Sequence, residues 1–318
     1  MRSIIVRTPA FAAALLGAWG VASAQAPVTP AIQGVVNAGT AIQAIKEGIE
    51  AVEGPVPLGD EVLFTNNRTN QILRIGRDGA VTTWLENTGG ANALALSPQG
   101  EVVATCNVDI GITVLGPGKS PRVLTKGFDG KTFSRPNDLA ISKLGHIYLT
   151  DSAPAGTADP PLPSSVYLLK AGGELTRVTA GIGRPNGLAL SPDERTLYVA
   201  DTSGEYVIAF DLDASGNAGN KRQFAKLALP PQAAAGGAAP TSGTDGLAVD
   251  EQGRLYAATS LGVQVFSPRG ESLGTIALPR QPQNLAFGGP GRSSLYVVGR
   301  GSVWRIATLT RGPQRAGK

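Results

Sequence analysis

One short hairpin is written again and again along this chain. At Arg184–Asp201 it reads RPNGLALSPDERTLYVAD. Leu188-Ala189-Leu190 is a first short run, Ser191-Pro192-Asp193 a turn, and Thr196–Ala200 a second run in which Leu197 and Val199 alternate with Tyr198. NALALSPQGEVVATC from Asn92, NDLAISKLGHIYLTD from Asn137 and DGLAVDEQGRLYAATS from Asp245 repeat it, and QNLAFGGPGRSSLYVVG from Gln283 is a looser copy. A lone hairpin cannot bury its apolar face, so recurrence at tens of residues demands an array of repeats.

A further unit starts at Glu53, with strands expected at Val62–Phe64 and Ile72–Ile75 and a hairpin turn at Asp78-Gly79. The six units begin at Glu53, Asn92, Asn137, Asn186, Asp245 and Gln283, spaced 39, 45, 49, 59 and 38 residues apart. The shorter spacings suit a four-stranded blade. The longer ones carry the inserts Ser152–Ser165 and Pro230–Gly243. The reading is therefore all-β: a six-bladed β-propeller of four-stranded blades spanning residues 51–310, closed radially so that only short sheet edges remain. A seven-bladed ring, with upstream residues supplying strands, is the alternative. The 42 Gly and 23 Pro suit such turn density, and 42% hydrophobic residues suffice for a core.

Residues 1–24 read as a signal peptide. Arg2 and Arg7 precede the apolar run Phe11–Val21, and Ala22-Ser23-Ala24 is an A-x-A cleavage site, so the mature chain is expected to start at Gln25. An uncleaved anchor is the other possibility. No second long apolar run follows, so no membrane span is expected after cleavage, and the address is periplasmic or secreted. Residues 25–50 form a lead-in with a helical turn or strand at Ala41–Ile45, and residues 311–318 a C-terminal tail. Loss of Arg2 and Arg7 takes the net charge from +4 to +2. That balance, with no basic run interleaved with aromatics, gives no case for nucleic acid. Cys106 is the sole cysteine, a structural thiol in a strand, so no intramolecular disulfide forms. His146 is the sole histidine, which excludes a multi-histidine zinc site and reads as structural.

The unit starts themselves are informative: Glu, Asn, Asn, Asn, Asp and Gln occupy one position in six equivalent blades. Equivalent positions lie at equal radius, so these side chains converge on one mouth of the channel. Turn capping by Asn and Asp is the competing account; it does not explain Glu53. Carboxylate and amide oxygens without His or Cys are the donors a hard divalent cation takes. Asp151 and Asp201, each ending the second strand of its unit, are either partners of this ring or strand-end turn residues.

EGPV at Glu53, RPND at Arg135–Asp138, RPNG at Arg184–Gly187, TDG at Thr244–Gly246, LYVAD at Leu197 and NLAFGGP at Asn284 together resemble the gluconolactonase/regucalcin (senescence marker protein) family of six-bladed propeller lactonases. The resemblance runs from about Glu53 to Ile306. It implies metal ligation by Glu53, Asn186 and Asp245, with Asp245 also serving as general base. It implies that Asn137 ligates the metal or holds substrate, and that Arg135 binds substrate. The chain departs from the pattern at Pro57, at the FTNN that ends the first blade where others have an aspartate, and at Ser152. The expectation is a hydrolase opening a lactone ring, with a divalent cation as cofactor: Ca²⁺ first, then Zn²⁺, Mg²⁺ or Mn²⁺. Its partner is a small-molecule lactone or ester. A non-enzymatic propeller binding a ligand or protein, and a metal-dependent esterase or phosphotriesterase, are the alternatives.

Overall fold

The computed structural model describes residues 26–154, 156–232 and 239–314. The signal-peptide reading of residues 1–24 falls outside them. The described residues form six four-stranded antiparallel sheets, five of them meanders in chain order, with no α-helix and a single 3₁₀ turn at Pro290–Arg292. The innermost strands are Val52–Leu58, Ala91–Leu96, Pro136–Ile141, Pro185–Leu190, Leu247–Val249 and Asn284–Gly288. Each touches the next, and the last touches the first, so the ring is closed.

Closure uses the lead-in. Ile42–Glu47 pairs antiparallel with Ser302–Ala307, from Ile42 opposite Ile306 to Glu47 opposite Ser302. The sixth blade thus takes three strands from one end of the propeller sequence and its outermost from the other. No seventh four-stranded sheet forms among the described residues; the one further sheet is the two-stranded ribbon of Gly127–Phe128 and Lys131–Thr132.

The core lies between the blades, because successive residues of a strand face opposite sides of its sheet. Leu139 and Ile141 pack with Ala93, Val103 and Tyr167 between blades 2 and 3. The intervening Ala140 packs with Tyr148, Leu188 and Phe210 between blades 3 and 4. Six such clusters fill the six seams. Burying each large apolar side chain contributes roughly 1.5–3 kcal/mol before chain entropy is set against it. The cluster between blades 5 and 6 also takes Ile32, Val35, Val36 and Ile42, so the lead-in is packed as core.

Candidate functional site

The inner strands of blades 1–4 share an irregularity at one end. In blade 2, Ala91 opposes Cys106 but Leu94 opposes Ala104, so one extra residue is inserted on the inner strand. The same bulge separates Glu53 from Val56, Pro136 from Leu139 and Pro185 from Leu188. A bulge bends its strand and re-aims its side chains. Glu53, Asn92, Asn137 and Asn186 all sit at this bulge, which gives the sequence ring a common geometry.

The ring then divides. Asn92 is committed to the scaffold: its Oδ1 accepts from Asn67 Nδ2 at 2.5 Å, and its Nδ2 donates to the Asn137 carbonyl at 2.8 Å. Gln283 is likewise committed, donating to Glu53 Oε1 at 3.3 Å and accepting from the Arg300 N–H at 2.9 Å. For these two residues the role is structural, through cross-seam and loop bonds.

Glu53, 9% exposed, accepts from Gly54 N, Gln283 Nε2 and Asn284 Nδ2. Asn186 is 6% exposed. Its Nδ2 donates to Thr202 Oγ1 at 3.1 Å, which fixes the amide, while its buried Oδ1 has no hydrogen-bond partner among the described residues. Asp245 lies half-buried just before the fifth inner strand; its N–H donates to the Ala258 carbonyl, and its own carbonyl accepts from Gly187 N at 3.1 Å. The next N–H, that of Gly246, donates to the Gln283 carbonyl at 2.7 Å. Asn186, Asp245 and Glu53 thus lie on one contiguous arc of blades 4, 5, 6 and 1. Asn137, half-buried on blade 3, adjoins this arc through Thr150, whose hydroxyl donates to the Asn186 carbonyl at 2.8 Å. The Asn137 side chain itself has no hydrogen-bond partner among the described residues.

Asp151 and Asp201 brace the loops entering the ring. Asp151 accepts from the N–H groups of Ser134 and Arg135 at 2.9 and 2.6 Å. Asp201 does the same for Gly183 and Arg184 at 3.3 and 3.0 Å. Burial raises the Asp151 carboxyl above its ordinary range, against those two N–H groups, which hold it down. Arg135 is thereby held at the mouth with an exposed side chain. His146 lies at the other end of Ile147–Asp151, where its Nδ1 accepts from the Ala171 N–H at 3.1 Å. Cys106 is buried, its thiol pushed up to about 11 by burial, and so unreactive.

Sequence reasoning missed an upper tier. The residue following each second strand in blades 1–4 donates its N–H to the carbonyl two residues before the ring position. Asn67 bonds Ala51, Asn107 bonds Gly90, Ser152 bonds Arg135 and Thr202 bonds Arg184. Thr202 holds Asn186 from this tier, Asn67 holds Asn92, and the Ser152 hydroxyl donates to the Pro185 carbonyl. Aligning the units past their second strands would have exposed it.

The donor set of the arc fits a hard cation: two carboxylates, amide oxygens, and one buried amide oxygen left without a donor. No group of three or more His, Cys, Asp or Glu side chains that could hold a metal ion occurs among the described residues, so amide oxygens must contribute to any such site.

The fold is that of a six-bladed propeller, with carboxylate and amide residues at one end of its inner strands. Residues 51–300 match the SMP-30/Gluconolactonase/LRE-like region, and the chain belongs to that family. It is similar to a gluconolactonase of Zymomonas mobilis, 32% identical over 89% of this chain and 86% of that protein. A 6-deoxy-6-sulfogluconolactonase of Pseudomonas putida is 30% identical over 70% of this chain and 72% of that protein. Among solved structures, a gluconolactonase from Xanthomonas campestris superposes with a TM-score of 0.76 at 26% identity, covering 89% of this chain and 97% of that one.

Proposed function

We propose that this protein is a lactonase that opens a sugar lactone at the ringed mouth of the propeller, with a divalent cation held by Glu53, Asn186 and Asp245. Family membership supports lactone hydrolysis. The observation that carries the site is Asn186 Oδ1, a fixed and buried acceptor without a donor, on the same arc as two carboxylates. Calcium suits an oxygen-only shell best; Mg²⁺, Mn²⁺ and Zn²⁺ are the competitors to test.

In the reaction, water adds to the lactone carbonyl carbon, the ring C–O bond breaks, and the departing alkoxide takes a proton to give a hydroxy acid. A bound cation would polarise that carbonyl and acidify water. Asp245 accepts the proton of the attacking water, as a half-buried carboxylate on the arc that would hold the cation. Asn137, with its side chain uncommitted, and Arg135 orient substrate oxygens. Residues 156–165, pinned where Ser134 Oγ donates to the Leu162 carbonyl at 2.7 Å, form part of the rim.

The test is calorimetry and turnover on the same variants. Glu53→Gln and Asp245→Asn should each weaken divalent-cation binding, and chelation should lower the wild-type melting temperature, since an ion that binds only the folded state stabilises it. At saturating cation, Asp245→Asn should lose on the order of 10²-fold or more in kcat on gluconolactone, the range for a lost general base. Unaltered cation affinity in both variants would overturn the site; near-normal turnover by loaded Asp245→Asn would remove that residue as base. We also propose export through residues 1–24, expected to yield a mature chain beginning at Gln25 by mass spectrometry of the secreted or periplasmic fraction.

A further inference from the structure

We propose that the lactone carries an anionic substituent, and that Arg184, alongside Arg135, holds it. The mouth is chemically lopsided at equivalent positions. Two residues before the ring, blades 1 and 2 have Ala51 and Gly90, whereas blades 3 and 4 have Arg135 and Arg184. The equivalence is structural: each carbonyl at this position accepts the same N–H from the upper tier. In that tier blades 1 and 2 present the carboxamides Asn67 and Asn107, and blades 3 and 4 the hydroxyls Ser152 and Thr202. At these two positions blades 1 and 2 are neutral and amide-bearing, whereas blades 3 and 4 bear two guanidiniums on neighbouring blades.

Both arginines are also uncommitted, unlike others at this end of the ring. Arg68 pairs with Glu50 at 3.0 Å, Arg280 donates to the Arg300 carbonyl at 3.1 Å, and Arg300 donates to Gln281 at 3.2 Å. Arg135 and Arg184 are exposed, and among the described residues neither guanidinium has a hydrogen-bond or ion-pair partner. The acids beside them are occupied: Asp151 by the N–H groups of Ser134 and Arg135, Asp201 by those of Gly183, Arg184 and Ser203. Those same bonds fix the backbone from which each arginine projects. Two guanidiniums on braced backbone, two residues from ring asparagines, match a planar or tetrahedral oxyanion such as a carboxylate, sulfonate or phosphate. On the neutral side, the buried Asn107 Oδ1 has no donor and suits a sugar hydroxyl. The substrate class is therefore a hydroxylated lactone with an acid group away from the reacting carbonyl.

The inference rests on the lactonase reading for the ring and on the arginines for the anion, and the experiment separates the two. Wild type, Arg184→Met, Arg184→Lys and the control Arg68→Met are compared on neutral gluconolactone and on the monolactone of glucaric acid, which keeps a free carboxylate. Binding of gluconate and glucarate is followed by calorimetry in parallel. Wild type should favour the acidic lactone in kcat/KM. Arg184→Met should reduce that preference by about 10-fold or more, as loss of a charge-assisted hydrogen bond implies. Lysine should restore part of it, Arg68→Met should keep the wild-type ratio, and added salt should erode the preference. Equal turnover of both lactones by wild type, or an unchanged ratio in Arg184→Met, overturns the anion subsite and leaves the lactonase standing. No turnover of either lactone, with glucarate still bound more tightly than gluconate and that margin lost in Arg184→Met, retains the subsite and removes the lactonase. No turnover and equal binding of the two acids overturns both.

Discussion

Blades 1, 4 and 5 differ from blades 2, 3 and 6 at the residue that follows the ring. In the first set it is Gly54, Gly187 or Gly246; in the second it is Ala93, Asp138 or Asn284. A Cβ on Gly187 would stand 2.7 Å from Gly246 Cα, and one on Gly246 would stand 2.7 Å from Asn284 Cα. One on Gly54, already at φ +51°, would stand 2.5 Å from Ala93 Cα. At Gly54 and Gly187 the backbones meet directly, as in the bond from Gly187 N to the Asp245 carbonyl, whereas Gly246 makes room for the Asn284 side chain. Elsewhere a side chain fills the gap. Asn284 Oδ1 accepts the Leu285 N–H at 2.9 Å while its Nδ2 reaches Glu53, and Asp138 Oδ1 accepts the Leu139 N–H at 2.7 Å. The glycine blades are those that carry Glu53, Asn186 and Asp245. Close seams and proposed ligands coincide, which implies that the missing side chains set the spacing of the site.

The contrast can be broken first at its glycines. Gly246→Ala should cost about 1–3 kcal/mol or more, because the buried Asn284 side chain and then its backbone must move. It should also weaken cation binding by displacing Asp245 and Asn284 together. Urea unfolding with a cation titration measures both; a full-stability variant with intact binding would show that the close approach is incidental. The hydroxyl-stitched seams should respond less. Thr65, Thr105 and Thr150 each donate to the carbonyl of the next ring residue, at 2.7, 2.8 and 2.8 Å. Thr150→Val, nearly isosteric, should cost about 1 kcal/mol by the same unfolding measurement. Ala93→Gly, on a blade without the glycine, should cost only about 0.5–1 kcal/mol through chain entropy.

The smallest effect is a slope in pH. Burial raises the folded-state pKa of Asp151, so the folded chain keeps that proton to higher pH than the unfolded chain. Its contribution is full below the ordinary value of 3.8 and is lost as pH climbs through the raised one. Asp151→Asn should remove this component, and stability measured from pH 3.8 upward should decline less steeply than in wild type. Parallel curves would mean that the Ser134 and Arg135 N–H groups fully offset burial.

Local pattern alone determined much of this protein. Alternating apolar residues, turn residues at fixed offsets and their recurrence define strands, hairpins and six units, because each is set within a few residues of chain. The ring positions, Asn137 among them, were legible for the same reason, whereas Arg135 was singled out only by the resemblance that the RPND motif carries. What the tertiary structure decided are contacts that only a closed ring creates. The pairing of Ile42–Glu47 with Ser302–Ala307 and the reach of Asn284 to Glu53 span most of the chain. Neither leaves a periodic mark, since one strand or one amide reads the same wherever it docks. The commitment of Asn92 and Gln283 to the scaffold and the unpartnered oxygen of Asn186 likewise depend on which neighbours the seams supply. A residue type names a set of possible bonds; packing chooses among them.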